Sequence, residues 1–289
     1  MQPPLPDVPG VSHREVDVRG ARLHVAQAGD GPPLLLLHGW PQHWWCWRKV
    51  IGELAREQRV LAPDLRGWGW SEAPPGEYAK ADWVEDVLAL LDAEGIDRVR
   101  VIGHDWGGYV AFLLALHAPD RVERLLALDI TPPWRGRPRA RDLLVPLFLS
   151  YQVLVAGPGI GPSTMTRSGH FVRAIIRTGS GPRAAWTDAE LDAYADVLRV
   201  PARARASSAC YRTFLTRELP AVVRGGDRSV QLRVPTLLLM GGASRLRRAF
   251  DPQPSRNVRV ETIAGAGHFL PEEAPEAVLE RARSFFAER

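Results

Sequence analysis

The chain has very little cysteine and almost no lysine. Of its 289 residues two are cysteine, Cys46 and Cys210. They match no metal or redox spacing, which argues against a disulfide scaffold or zinc module and leaves buried or inert thiols in a reducing compartment. Lysine occurs only as Lys49 and Lys80, so nearly all of the 37 basic residues are arginine. The arginines are scattered, with small clusters at 135–141 and 245–248, and form neither a dense basic stripe nor a reading motif. With a net charge of +4, no nucleic-acid partner is expected. No segment approaches the roughly 18 uninterrupted apolar residues that cross a bilayer, so no membrane partner is expected either. The Pro-rich start, 1–10, lacks the basic-then-apolar pattern of a secretory signal, and a soluble, cytoplasmic protein is the expectation. There is no internal repeat, no low-complexity linker and no signal for an oligomeric state.

What is present is ordinary for a globular chain: 45% hydrophobic and 24% charged residues. The length suits one α/β domain carrying an insertion. Strand patterns at 22–28, 34–37, 60–62, 99–102 and 125–129 alternate with helical patterns at 44–57, 82–94 and 107–117. Repeated strand–helix units of this kind predict a parallel sheet with helices on both faces. After Thr131 the pattern changes. Pro132 and Pro133 break the chain, and residues up to about Asp227 carry helices without a convincing strand. One helix is predicted to start at Thr187, where Thr187-Asp188-Ala189-Glu190 is a capping box, and another at Pro201. Strand patterns resume at 236–240 and 258–263, and an amphipathic helix closes the chain at 275–286.

The string Val101-Ile102-Gly103-His104-Asp105-Trp106-Gly107-Gly108 carries the chemistry. A strand runs into Gly-x-Asp-x-Gly and straight into a helix, the nucleophile-elbow pattern with Asp in the place of Ser. The middle residue of such a turn is strained, so small neighbours, Gly103 and Gly107, are needed two positions away. The helix behind it aims backbone N–H groups and the positive end of its dipole at the site. The competing reading is that Asp105 merely caps the helix, a role Asp favours.

On this string the chain resembles the epoxide hydrolase and haloalkane dehalogenase branch of the α/β-hydrolase superfamily, over about residues 20–289. The resemblance implies an α/β-hydrolase fold: a mostly parallel eight-stranded sheet with helices on both faces and a helical cap inserted after strand six. Residues 1–131 and 229–289 would form the core domain and 132–228 the cap. His38-Gly39-Trp40-Pro41 resembles the oxyanion loop of epoxide hydrolases, with the backbone N–H groups of Trp40 and Trp106 as donors and His38, Gly39 and Pro41 shaping the turn. The alternative is an ordinary strand-to-helix turn. His268, in Gly265-Ala266-Gly267-His268-Phe269-Leu270-Pro271, occupies the place of the catalytic base, while His38 and His104 match supporting positions. The loop 240–246 departs from the family, because it holds no carboxylate to orient the base. Asp251 lies too far along, and Asp129, at the end of strand six, is the expected orienter.

Opening an epoxide needs an acid at the departing oxygen, and the family uses two cap tyrosines. Tyr151, in Ser150-Tyr151-Gln152-Val153, and Tyr211, in Ala209-Cys210-Tyr211-Arg212, match in type, order and place. Either could instead be a helix-face aromatic packed on the core. The expected activity is therefore hydrolysis of a small hydrophobic epoxide, without cofactor or metal. The runner-up is haloalkane dehalogenation with the same nucleophile, although Trp40 stands where a halide-binding Asn is common. Haloacetate dehalogenases hold a substrate carboxylate with Arg just after the nucleophile and one turn on, where this chain has Trp106 and Tyr109. A non-catalytic small-molecule binding protein is the third reading.

Overall fold

Four consecutive leucines, 34–37, set the middle of the sheet. All four are fully buried, which requires cover on both faces of the strand, and burying a leucine side chain contributes about 1.5–3 kcal/mol. They belong to β3, Pro33–Leu37. The structure is a computed structural model that describes residues 2–133, 150–223, 232–250 and 255–288. The other strands are β1 Ser12–Val18, β2 Ala21–Ala28, β4 Arg59–Pro63, β5 Val99–His104, β6 Val122–Leu128, β7 Thr236–Gly241 and β8 Val258–Ile263. They form one eight-stranded sheet in the order β1-β2-β4-β3-β5-β6-β7-β8. The β1–β2 and β2–β4 pairs are antiparallel, and every pair from β4–β3 to β7–β8 is parallel. This is the mostly parallel sheet the sequence leads one to expect.

Register decides where chemistry can be placed. Leu37 pairs with Gly103, His104 with Leu128, and Leu128 with Leu239. The loops after β3, β5, β6 and β7 therefore open side by side at the carboxyl edge, where ligands bind in open parallel sheets.

Helices α1 Ile51–Leu54, α2 Lys80–Ala93 and α3 Trp106–His117 fall within the first sheet half. Helix α3 is apolar nearly all round and mostly buried, as a helix covered on most sides must be. Between β6 and β7 the described residues are helical: α4 Ser150–Ala156, α5 Ile160–Arg167, α6 His170–Gly179, α7 Asp188–Leu198, α8 Pro201–Thr213, a π-helical turn Phe214–Glu218 and α9 Leu219–Val223. Helix α7 carries the expected capping box: Thr187 Oγ1 accepts from Glu190 N at 3.2 Å, and Glu190 Oε2 accepts from Thr187 N at 2.9 Å. Helices α10 Arg245–Phe250, α11 Leu270–Glu273 and α12 Pro275–Ala287 complete the chain.

Two expectations are corrected. The helix predicted over 44–57 is instead a 3-10 turn, Trp44–Trp47, followed by the four-residue α1. Trp44 and Trp47 are both fully buried, and a 3-10 turn puts residues three apart on one face. The Trp44 N–H also donates to Asp64 Oδ1 at 2.8 Å. Strand β1, which has no counterpart in the patterns at 1–21, is an edge strand whose residues are mostly polar and partly exposed, the composition that protects an edge from further pairing. Among the described residues no helix is long and apolar enough to cross a membrane. The arginine cluster 135–141 and Asp251 lie outside the described residues, and both cysteines are free and buried.

Candidate active site

The turn from β5 into α3 forces Asp105 to φ 50°, ψ −124°. A residue with a Cβ rarely occupies that region, and the surroundings must impose it. They do so by close approach. A Cβ on Gly107 would lie 2.1 Å from the Leu37 carbonyl oxygen, and one on Gly103 would crowd Gly107 and Gly108. On the opposite side a Cβ on Gly39 would meet the Asp105 Cβ at 2.3 Å. The helix-cap reading fails, because the Asp105 side chain makes no capping hydrogen bond to α3. Its Oδ2 instead accepts from the Trp40 backbone N–H at 2.9 Å, and the Trp106 backbone N–H faces the same carboxylate. Burial pushes the Asp105 pKa up, against the pull of His268 and these two N–H groups.

His268 stands beside it, with Nε2 3.6 Å from Asp105 Oδ1. Its Nδ1 is 2.7 Å from Asp129 Oδ2. Asp129 is fully buried, lies just past β6 and has φ 42°. Its Oδ1 accepts from the Gly241 N–H at 2.8 Å, and its Oδ2 also accepts from the Ser244 hydroxyl at 2.6 Å. Burial alone would lower the His268 pKa. The Asp129 hydrogen bond and the charges of Asp105 and Asp129 outweigh it and raise the pKa to about 9. The loop carrying His268 is fixed by Glu273, whose carboxylate accepts from the backbone N–H groups of Gly267, Phe269 and Gly181.

Ser244 and Glu273 are absent from the sequence-based site. Ser244 sits in the 240–246 loop, where only a carboxylate was sought; the position carries a donor to the acid instead of the acid. Glu273 carried one faint signal, a carboxylate shortly after the His268 glycines.

His38 and His104 support the turns. The Leu65 N–H donates to His38 Nε2 at 3.1 Å, so His38 Nδ1 carries the proton facing the Gly39 carbonyl at 3.1 Å. His104 Nε2 lies 2.8 Å from the His268 carbonyl. Burial lowers the pKa of both rings, which keeps them neutral. Pro41 follows a cis peptide after Trp40.

Tyr151 and Tyr211 both reach this place. Tyr151, from α4, stacks on Trp40 with ring centroids 6.0 Å apart, and Tyr211, from α8, meets Trp40 edge-on at 5.3 Å and Trp106 at 5.6 Å. The two tyrosine rings are 6.0 Å apart. Burial, and next the Asp105 charge, push the Tyr151 pKa up to about 12. For Tyr211 burial, then Tyr151 and Asp105, push it well above the phenol range. Both are thus protonated at neutral pH and able to donate. Tyr211 is fully buried, so it does pack on the core, but its phenol lies in the field of the same carboxylate. Phe171 joins Trp40 at 6.5 Å, an apolar wall the sequence did not suggest. Trp106 and Tyr109 meet edge to face at 5.8 Å. Among the described residues no cluster of His, Cys, Asp and Glu is arranged to hold a metal.

Comparison with known proteins gives the following. A family described as having the alpha/beta hydrolase fold matches residues 32–275. The "Soluble epoxide hydrolase" of Corynebacterium sp. is 35% identical over 288 residues, which is 96% of this chain and 98% of the relative. The "Fluoroacetate dehalogenase" of Burkholderia sp. is 29% identical over 294 residues, 96% of this chain and 95% of the relative. The solved structure of the epoxide hydrolase CorEH without ligand superposes with a TM-score of 0.86 at 32% identity, covering 96% of this chain and 99% of that one.

Proposed function

The chain belongs to the α/β-hydrolase family and is a hydrolase, and from that membership we propose that it opens epoxides to vicinal diols through an ester on Asp105. The observation that carries this reading is the pair of phenol rings, Tyr151 and Tyr211, 6.0 Å apart and both packed on Trp40, whose backbone N–H holds Asp105 Oδ2. An alkoxide leaves only if a donor neutralises it, whereas a halide needs no acid. A carboxylate-bearing haloacid would want a guanidinium at the positions held by Trp106 and Tyr109.

In the first half-reaction Asp105 Oδ1, on the side of His268, attacks an epoxide carbon. Oδ2, held by the Trp40 N–H, becomes the ester carbonyl oxygen. The C–O bond breaks, its electron pair passes to the ring oxygen, and a phenol proton joins that oxygen. Esterification removes the Asp105 charge, one of the groups that keep His268 protonated. The imidazolium then loses its proton, which restores the phenol, and His268 becomes a neutral base when one is needed. In the second half-reaction His268, oriented by Asp129, takes a proton from water. Hydroxide adds to the ester carbon, and the oxyanion at Oδ2 is met by the N–H groups of Trp40 and Trp106. Collapse breaks the bond to the alkyl oxygen, which takes up the proton of the added hydroxyl as the diol leaves, and Asp105, imidazolium and both phenols are back in their starting states. In this scheme residues 1–131 and 229–289 are the core, and 132–228 is the cap that supplies the phenols.

Asp105→Ala should abolish turnover, and His268→Gln should accumulate an ester seen as an intact-mass adduct. Styrene oxide-like epoxides and short haloalkanes, scored separately for diol and halide, discriminate the readings. Halide alone would transfer the reading to dehalogenation. Neither product, and no adduct, would leave a small-molecule binding protein or an enzyme with a narrow substrate.

A further inference from the structure

Of the two lysines in the chain, Lys80 is fully buried, and its place beside the site is not used by the scheme above. It opens α2, where Glu218 Oε1 accepts from its backbone N–H at 2.8 Å and Glu218 Oε2 lies 2.9 Å from its ammonium nitrogen. The same ammonium donates to the Cys210 carbonyl at 3.0 Å, one residue before Tyr211. It also lies 4.5 Å from the centre of the Trp106 ring and 5.2 Å from that of Phe214, within reach of a cation–π attraction. Trp106 in turn abuts Tyr211 and Phe214. One cation thus touches the backbone that launches Tyr211 and the ring against which Tyr211 rests.

We propose that the Lys80–Glu218 pair is a latch that positions Tyr211 for proton donation to the opening epoxide, an inference that rests on the epoxide reading of this site. Lys80 is then a positioning residue, acting through Cys210 and Trp106.

Three features favour this role over simple packing. A buried ion pair is a poor source of stability, since an apolar pair of similar volume commonly serves as well. The Cys210 carbonyl, which also accepts from the Phe214 N–H, is shared with the lysine at the point where α8 widens into the π-helical turn Phe214–Glu218. The last residue of that turn is Glu218, the partner of Lys80, so the pair ties both ends of the widened segment to α2. Further, Thr213 Oγ1 donates to the Glu77 carbonyl at 2.6 Å, so the segment leading into α2 grips the end of α8 twice, on either side of the Tyr211 turn.

The test uses the full chain, styrene oxide as probe, and single-turnover mass measurement of ester formation and ester hydrolysis separately. In Lys80→Met/Glu218→Leu, which leaves no lone buried charge, thermal stability should stay near that of the parent. Ester formation should slow about a hundredfold, the usual effect of an ångström-scale misplacement, while ester hydrolysis is unchanged. Adding Tyr211→Phe to that variant should cost little more, and its crystal structure should show the Tyr211 ring displaced while the Trp106 backbone N–H stays in place. Glu218→Gln should give the same split, about tenfold. Its amide oxygen can still accept from Lys80 at a side chain 20% exposed, so although it removes the counter-charge it keeps the test open if the double variant does not fold. Equal slowing of both half-reactions, parent-like ester formation, or an undisplaced Tyr211 would overturn the latch. Failure of the epoxide reading shows itself separately, as a parent chain that forms no ester; the position of Tyr211 in the variant crystal still decides the latch.

Discussion

Replacing Asp105 with asparagine should pull the pKa of His268 down from about 9. The two groups are 3.6 Å apart, with side chains only 14% and 19% exposed, so solvent screens part of their attraction and not all of it. At an effective dielectric near 20, unit charges about 4 Å apart interact by about 4 kcal/mol. An opposite charge at this range moves a pKa by about one to three pH units. Asp129 keeps its contact with Nδ1 and limits the fall, so the variant should titrate at about 6–8. Following the imidazole carbon-bound proton by NMR across pH in the parent and in Asp105→Asn measures this directly. An unchanged value near 9 would mean that Asp129 alone holds the charge. Esterification could not then convert His268 into a base, and the proposed order of proton transfers would be wrong.

Other outcomes follow from the same contacts. Tyr151→Phe and Tyr211→Phe should each slow ester formation by about a hundredfold, the lower end for general acid catalysis, and leave ester hydrolysis intact in single-turnover assays. Ser244→Ala removes a donor to the buried Asp129 and should lower stability by about 1–3 kcal/mol, measured by urea unfolding with an unchanged slope. Gly39→Ala, whose methyl would collide with Asp105, should fold poorly or lose all activity; a fully active variant would contradict the described loop. The protonated His268 stabilises the fold, because its native pKa of about 9 exceeds the ordinary 6.5. That contribution is complete below about pH 6.5 and is lost as pH rises through about 9. Unfolding titrations of parent and His268→Gln should diverge over that window.

The sheet was legible because its central strands are buried on both faces. Leu34 to Leu37 can be little else, and Gly103 to Gly108 announces a strained turn whose geometry needs the missing side chains. Strand β1 was not legible, because an edge strand needs only one covered side and so lacks a distinct pattern. The run 44–57 misled because its tryptophans satisfy a helical period as well as the 3-10 turn they adopt. At the site, Asp105, Asp129 and His268 were named from their motifs and the resemblance, and the fold brings the three side chains together. Ser244, Glu273 and Lys80 were not. Each works through a partner more than a hundred residues away or through backbone groups, and such pairings exist only once the chain is folded.

In the proposed scheme a carboxylate oxygen of Asp105 is transferred to the substrate carbon. One turnover in heavy-oxygen water, with enzyme in excess over epoxide, follows that oxygen. The diol should be free of the heavy isotope, and the carboxylate in the peptide containing Asp105 should carry it. A labelled diol together with an unlabelled Asp105 would mean that water attacks the epoxide directly and that no Asp105 ester forms.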